Sequence, residues 1–107
     1  MRSRHDDNQN FLRGFLVKCG WQVVYTTSQG GGFPDAVCYR DPVVVLVEFK
    51  IDSPNAPETQ LLKDQMKFHE IWKGAPIYIV RNEIDCFDLY AKELDRLKHS
   101  LNLTRSE

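Results

Sequence analysis

An aliphatic run at residues 43–47 passes without interruption into Glu48, Phe49 and Lys50. A continuous apolar run of this length is typical of a strand that is buried on both faces. Because side chains alternate along a strand, Glu48 and Lys50 share one face and Phe49 points to the other. Burial of a charge costs free energy unless the charge is paired, hydrogen-bonded or bound to a metal ion. The run therefore predicts a polar site at the end of a buried strand.

Asp35 is a second acid that the chain can bring to this site. It follows Pro34 and begins another strand-like segment, and a tight turn at residues 40–42 joins that segment to the first run. Adjacent strands of such a hairpin can place Asp35 and Glu48 close together. Carboxylates are ligands that Mg²⁺ and Mn²⁺ prefer, and the ammonium of Lys50 beside them can hold a water or stabilise a charged oxygen. The pattern favours metal-assisted hydrolysis of a phosphodiester.

The rest of the chain predicts one α/β domain with the order helix, three strands, helix, strand, helix. The predicted strands cover residues 21–27, 36–39, 43–50 and 75–81. The first predicted helix covers residues 6–19, and the second runs from a capping box at Asn55 and Glu58 to about residue 73. The last helix is predicted from the apolar positions Phe87, Tyr90, Leu94, Leu97 and Leu101. Residues 86–90 could instead form a short strand. The strand, helix, strand unit predicts parallel neighbours, so we expect a mixed four-stranded sheet flanked by helices on both faces.

Composition limits the classes of protein that this chain can belong to. With 107 residues and a net charge of −1, it is long enough for one core and has no overall basic character for tight non-specific binding of nucleic acid. Three widely spaced cysteines indicate reduced core thiols in a cytoplasmic protein. No apolar leader and no run of membrane-spanning length are visible. Residues 1–4 and 104–107 are expected to be flexible.

The motif Pro34-Asp35, a gap of twelve residues and then Glu48-Phe49-Lys50 resembles the signature of the PD-(D/E)XK nuclease superfamily. The glycines at residues 30–32, Gln65 on the predicted second helix and Val80-Arg81 are similar to the VRR-NUC branch, whose small members occur in phages and bacteria. The resemblance covers residues 5–85. Asn82 departs from it, because the branch carries a second arginine there.

The resemblance implies a restriction-endonuclease-like core and a Mg²⁺- or Mn²⁺-dependent DNA endonuclease of phage or bacterial type. It implies that Asp35, Glu48 and the main-chain carbonyl of Phe49 bind the metal, and that Lys50 and Gln65 act beside it. A further acid on the first helix of such nucleases is matched here to Asp7. The resemblance also implies a homodimer that cuts branched DNA such as a Holliday junction, in a bacterial or phage-infected cytoplasm.

Each of these assignments has a simpler alternative. Glu48 and Lys50 could form a salt bridge without catalysis, and Asp35 could be a turn residue after proline. Asp7 is favoured near a helix N-terminus by the helix dipole alone. Gln65 could be a structural amide. The glycines at residues 30–32 could approach the DNA backbone or form a plain connection.

Histidine contributes little to these expectations, because no histidine pairs with another ligand residue at metal spacing. His69 is interpreted as a residue on the flank of the second helix, with a role as general acid as the less favoured reading. For the whole protein the alternative function is a non-catalytic nucleic-acid-binding or assembly module that keeps the fold, and a purely structural domain is a third hypothesis.

Overall fold

The computed structural model describes residues 4–26, 31–51 and 61–105, with side chains described for residues 7–26, 31–51 and 61–101. In chain order the elements are helix α1 (Arg4–Lys18), strands β1 (Gln22–Tyr25), β2 (Ala36–Arg40) and β3 (Val43–Phe49), helix α2 (Lys63–Ile71), strand β4 (Ile77–Val80) and helix α3 (Glu83–Arg105). This order confirms the predicted α/β class. The proposed capping box at Asn55 and Glu58 lies outside the described residues.

The four strands form one mixed sheet in the order β1-β2-β3-β4. β2 is antiparallel to β1 and to β3, whereas β3 and β4 are parallel. The register pairs Ala36 with Val47 and Phe49 with Val80. The parallel pair follows from the α2 crossover, because a hairpin turn cannot return the chain in the same direction. β3 is thus a central strand, as its apolar run predicts.

One face of the sheet packs against α1 and α3 to form the apolar core. Its buried members are Leu12, Leu16, Trp21, Ala36, Cys38, Val43, Val45, Val47, Phe49, Val80, Cys86 and Leu89. Alternate residues of β3 supply four of these side chains, as the two-residue period of a strand requires. α1 ends before Gly20, whose positive φ of 100° suits glycine at the end of a helix. The core therefore lies entirely on the side away from Glu48 and Lys50.

The other face of β3 carries Leu46, Glu48 and then Lys50, and α2 lies over it through side-chain hydrogen bonds from Gln65. α2 is shorter than predicted, since it begins at Lys63 and has no buried residue. Leu61 and Leu62 precede the helix and are not part of it. Helices thus flank both faces of the sheet, but only α1 and α3 pack against the core.

The buried side of α3 agrees with the predicted one only in part. Tyr90 and Leu97 pack against the core as predicted, whereas Phe87 and Leu101 are largely exposed. Cys86, Leu89 and Glu93 are buried instead. Both sets of residues have helical spacing. Packing of α3 against β4 and α1 buries the set that contains Glu93. Residues 86–90 are helical, so the alternative of a short strand is wrong.

The three cysteines are free thiols, as expected for reduced core cysteines. Burial raises the pKa of the Cys38 and Cys86 thiols to about 12, so both are uncharged at neutral pH. In the described part of the chain no helix is long and apolar enough to cross a membrane.

Candidate active site

Asp35 and Glu48 lie next to each other on the α2 face of the sheet. The pairing of Ala36 with Val47 places the preceding residue, Asp35, beside Glu48. Burial, the negative charge of Asp35 and a hydrogen bond with Asp35 raise the pKa of Glu48 and Lys50 lowers it, with the net result of a pKa of about 8. Two carboxyl groups can share that bond only while one of them carries a proton. The hairpin therefore brings both predicted acids together, as its register requires.

Glu48 carries an oxygen without a donor. Its side chain is 1% exposed. Oε2 accepts a hydrogen bond of 2.8 Å from Gln65 Nε2, but Oε1 is buried and receives none from the described part of the chain. A buried carboxylate oxygen without a donor is costly, because its water has been removed without replacement. A cation or a proton at Oε1 would remove that cost.

Gln65 joins Glu48 to Lys50. Its Oε1 accepts hydrogen bonds of 2.8 Å from Lys50 Nζ and from the main-chain N–H of Leu62, while its Nε2 donates to Glu48. The bond to Leu62 places the amide at the first turn of α2 and fixes its orientation. Lys50 is only 4% exposed, so its ammonium is held in the site by this bridge. The structure thus places the predicted Gln65 between the two charges.

Asp35 also contacts the main chain of the strand that carries the other site residues. Its Oδ2 accepts a hydrogen bond of 2.9 Å from the N–H of Phe49. The N–H of Thr26, next to β1, donates to the Asp35 carbonyl at 2.8 Å. These bonds fix Asp35 on both sides, so the carboxylate is oriented before any ligand arrives.

α1 contributes a different residue from the one expected. Asp7 is exposed, whereas its neighbour Asn8 donates from Nδ2 to the Lys50 carbonyl at 2.8 Å. Asn8 therefore ties the start of α1 to the main chain of the site. No pattern in the sequence distinguishes Asn8, because a single amide on a helix has no spacing signature.

Gly32 lies against the first turn of α2. A Cβ at this position would be 2.1 Å from the carbonyl oxygen of Asp64, and φ is +81°. Both facts require glycine there. The close approach that the glycines predicted is thus made to α2 within the described residues. Gly30 lies outside them.

His69 and Arg81 border the site. His69 is one turn after Gln65 on α2, its Nε2 is buried without a hydrogen-bond partner in the described part of the chain, and burial followed by the charge of Lys50 lowers its pKa. Its half-buried position agrees with the expected flank of the helix. Arg81 follows β4 at the same sheet end, where the Lys50 N–H donates to the Val80 carbonyl at 3.0 Å.

The oxygen ligands at this site suit a hard divalent cation, but they are few. Two carboxylates and main-chain oxygens at the end of a strand are typical ligands of Mg²⁺ and Mn²⁺. Within the described ranges no three histidine, cysteine or acidic side chains form a group that could hold a metal ion. The binding of a cation here would therefore need main-chain oxygens, water or substrate oxygens besides Asp35 and Glu48.

Comparison of the chain with family models, with curated proteins and with solved structures finds no match in any of the three.

Proposed function

We propose that this protein is a metal-dependent nuclease that hydrolyses DNA phosphodiester bonds. The observation that carries the proposal is the buried Glu48 Oε1, which lacks a donor beside Asp35 while a buried lysine follows directly after the strand. A structural salt bridge between Glu48 and Lys50 does not account for the second acid. A divalent cation between the two carboxylates would account for both acids and for the oxygen without a donor.

Asp35, Glu48 and the carbonyl of Phe49 are the groups that would hold Mg²⁺ or Mn²⁺. Such a cation lowers the pKa of a water and offsets the charge of a phosphate. Lys50 extends its ammonium beside the acids, where it can orient the attacking water or stabilise negative charge on the phosphate. Gln65 keeps Lys50 and Glu48 at a fixed separation. The products would carry a 5′-phosphate and a 3′-hydroxyl.

The finer fold assignment is also part of the proposal. The order of elements, the mixed sheet and the site at the adjoining ends of β2 and β3 support a restriction-endonuclease-like core. The Gly32 contact with α2 and the position of Gln65 support the VRR-NUC branch. Asp7, which is exposed, is not needed for the proposed metal site.

A homodimer that acts on branched DNA completes the proposal. The outward side of α3 carries apolar residues that the domain leaves exposed, namely Ile84, Phe87, Leu94 and Leu101. Contiguous exposed apolar residues are characteristic of an interface. A two-fold pair of sites would suit a Holliday junction, whose arms are related by symmetry.

The experiment is a cleavage assay on four-way, flapped and linear DNA with Mg²⁺ or Mn²⁺ and then with a chelator. We expect metal-dependent cutting that falls at least ~100-fold in both Glu48→Gln and Lys50→Met, the scale of losing one charge-stabilising group. Glu70→Gln is the matched control, since Glu70 is an exposed acid on α2, and should cut like the wild type. Cutting that persists in the chelator, or in both variants, would contradict the proposal.

A non-catalytic nucleic-acid-binding or assembly module is the second candidate. It is favoured by the absence, within the described residues, of a third metal-ligating side chain in the site. In the same assay this candidate predicts DNA binding by wild type and both variants with no cleavage under any metal condition.

A further inference from the structure

Three aromatic side chains form a cluster on the α2 face, apart from the main core. Phe68 and Trp72 stack with ring centroids 5.1 Å apart and planes at 20°. Phe33 meets both rings edge-on, at 5.0 Å from Phe68 and 6.2 Å from Trp72. None of the three belongs to the buried cluster beneath α1 and α3. The aromatic cluster is therefore a second apolar unit, on the side of the proposed chemistry.

This cluster is connected directly to the candidate active site. Phe33 lies two residues before Asp35, and Phe68 lies three residues after Gln65 on α2. Gly32 fits against the Asp64 carbonyl, so the segment with Phe33 and Asp35 is held against the helix that carries Gln65. A ligand with its phosphate at Asp35 and Glu48 would thus place its neighbouring parts beside the aromatic rings.

A cavity of about 240 Å³ opens beside Trp72, between the end of α2 and the start of β4. Its lining also includes His69, Pro76 and Ile77. One water needs about 10–15 Å³ of such volume, so the cavity has room for a group many times larger than a water.

The cavity has a planar aromatic group in its wall. Trp72 remains 38% exposed, although its Nε1 donates to the Ala75 carbonyl at 2.8 Å and so fixes the ring. His69 contributes to the lining, but its Nε2 is buried and does not face the cavity. A nucleobase offers a π-face to an exposed aromatic ring. Lys63 and Lys67, exposed one turn apart on α2, add positive charge for the strand backbone.

We propose that this cavity binds one unpaired nucleobase of the DNA strand whose phosphate lies at Asp35 and Glu48, with Trp72 contacting the base. This inference rests on the proposed nuclease function and names its substrate class as DNA with an unpaired nucleotide beside the scissile bond. A paired base is stacked in its duplex and cannot enter such a cavity. Flaps, single strands and open junction centres are therefore preferred over continuous duplex.

The first test uses tryptophan fluorescence, because the protein has two tryptophans and Trp21 is buried at 3% exposure. In Trp21→Phe the emission reports on Trp72 alone. Titration with single-stranded DNA in a chelator should quench this emission, and titration with blunt duplex should not. Equal quenching by both, or none by either, would overturn the proposal.

The second test changes Trp72 and measures affinity for single-stranded and duplex DNA. Trp72→Ala should weaken single-strand binding by tenfold or more, the usual effect of losing one stacked base, while duplex affinity stays constant. Trp72→Phe should retain most of the affinity. Ile71→Ala is the matched control, because Ile71 is 73% exposed and apolar on the same helix. Circular dichroism checks that each variant is folded.

The third test combines the protein change with a change in the DNA. An abasic site is moved one nucleotide at a time along a flap substrate, and wild type and Trp72→Ala are compared. We expect one position next to the cut at which loss of the base slows wild-type cleavage but not Trp72→Ala cleavage.

The outcomes separate the two proposals. If the wild type cuts DNA but no abasic position depends on Trp72, the base-binding inference is wrong and the nuclease proposal stands. If the wild type cuts nothing, the nuclease proposal fails, and the fluorescence titration still decides whether the cavity takes an unpaired base. Self-association that Trp72→Ala abolishes, without an effect on DNA, would identify a protein interface and overturn the inference.

Discussion

Near its carboxyl end β3 is buried on both faces, with opposite chemistry. On one face Val43, Val45 and Val47 join Phe49 in an apolar core beneath α1 and α3. On the other face Glu48, and Lys50 just after the strand, are also buried but are ionisable, and the covering helix α2 has no buried residue. Because side chains alternate along β3, one face of the strand packs in the core and the other carries the candidate active site.

The two faces of β3 contribute to the stability of the fold with opposite sign. Apolar burial stabilises the fold by ~25 cal/mol per Å², whereas the burial of Glu48 beside Asp35 opposes folding while both are ionised. Natural proteins tolerate such costs at functional sites when the rest of the structure compensates. The core face should thus dominate stability, and the α2 face should respond to pH and to cations.

The largest effect is expected on the core face. Phe49→Ala should lower the free energy of unfolding by about 3–5 kcal/mol, because it leaves a cavity in a closely packed core. Urea denaturation monitored by circular dichroism measures the change. Val44→Ala, at a half-exposed position of the same strand, should cost under ~1 kcal/mol. Similar losses in both variants would show that the two faces do not differ in this way.

The next effect concerns the charge of Glu48. The pKa of Glu48 is raised to about 8 from an ordinary 4.5, so between these values the folded state binds more protons than the unfolded state. Stability without metal should therefore fall as the pH rises through this window. Glu48→Gln removes the ionisable group, and it should unfold at a higher urea concentration than the wild type at pH 8, by ~1 kcal/mol or more.

The comparison at pH 4 controls for packing. Both proteins then carry a neutral side chain at residue 48, so their stabilities should converge. A gain in Glu48→Gln that is the same at pH 4 and pH 8 would show that ionisation of Glu48 is not the cause.

A smaller loss is expected from Gln65→Ala. It leaves the buried Glu48 Oε2 and Lys50 Nζ without their shared amide, which should cost about 1–2 kcal/mol. Gln22→Ala is the matched control at an exposed glutamine of β1 and should be neutral. Thermal unfolding in chelator measures both changes. An unchanged Gln65→Ala would show that the bridge is not a stabilising contact.

The smallest effect is stabilisation by cations. At ten times the dissociation constant, Mg²⁺ or Mn²⁺ should add ~1.4 kcal/mol to the wild type, because it binds only the folded form. Glu48→Gln should lose most of this shift in a thermal scan at pH 8. An equal shift in the variant would place the cation elsewhere on the protein.

Much of the site could be predicted because it depends on local rules. Alternation along residues 43–50 places Glu48 and Lys50 on one face, and the short turn after β2 limits the register that brings Asp35 beside Glu48. Gln65 was expected beside the site from the resemblance, and it does contact both Glu48 and Lys50. Whether these residues bind metal and cut DNA stays a prediction.

Other features depend on contacts between distant segments. Asn8 and Lys50 are 42 residues apart, and the sequence shows no pattern that joins them.

The amino-acid sequence by itself determined the class of fold, the central strand and the face that carries the acids, since these follow from the period and polarity of neighbouring residues. Only the tertiary structure decided which side of α3 is buried, because two rows of that helix have suitable spacing and Glu93 is accepted inside through bonds from Tyr78 and Arg96. Packing chooses between such rows by the partners that they meet, and those partners are remote in the chain.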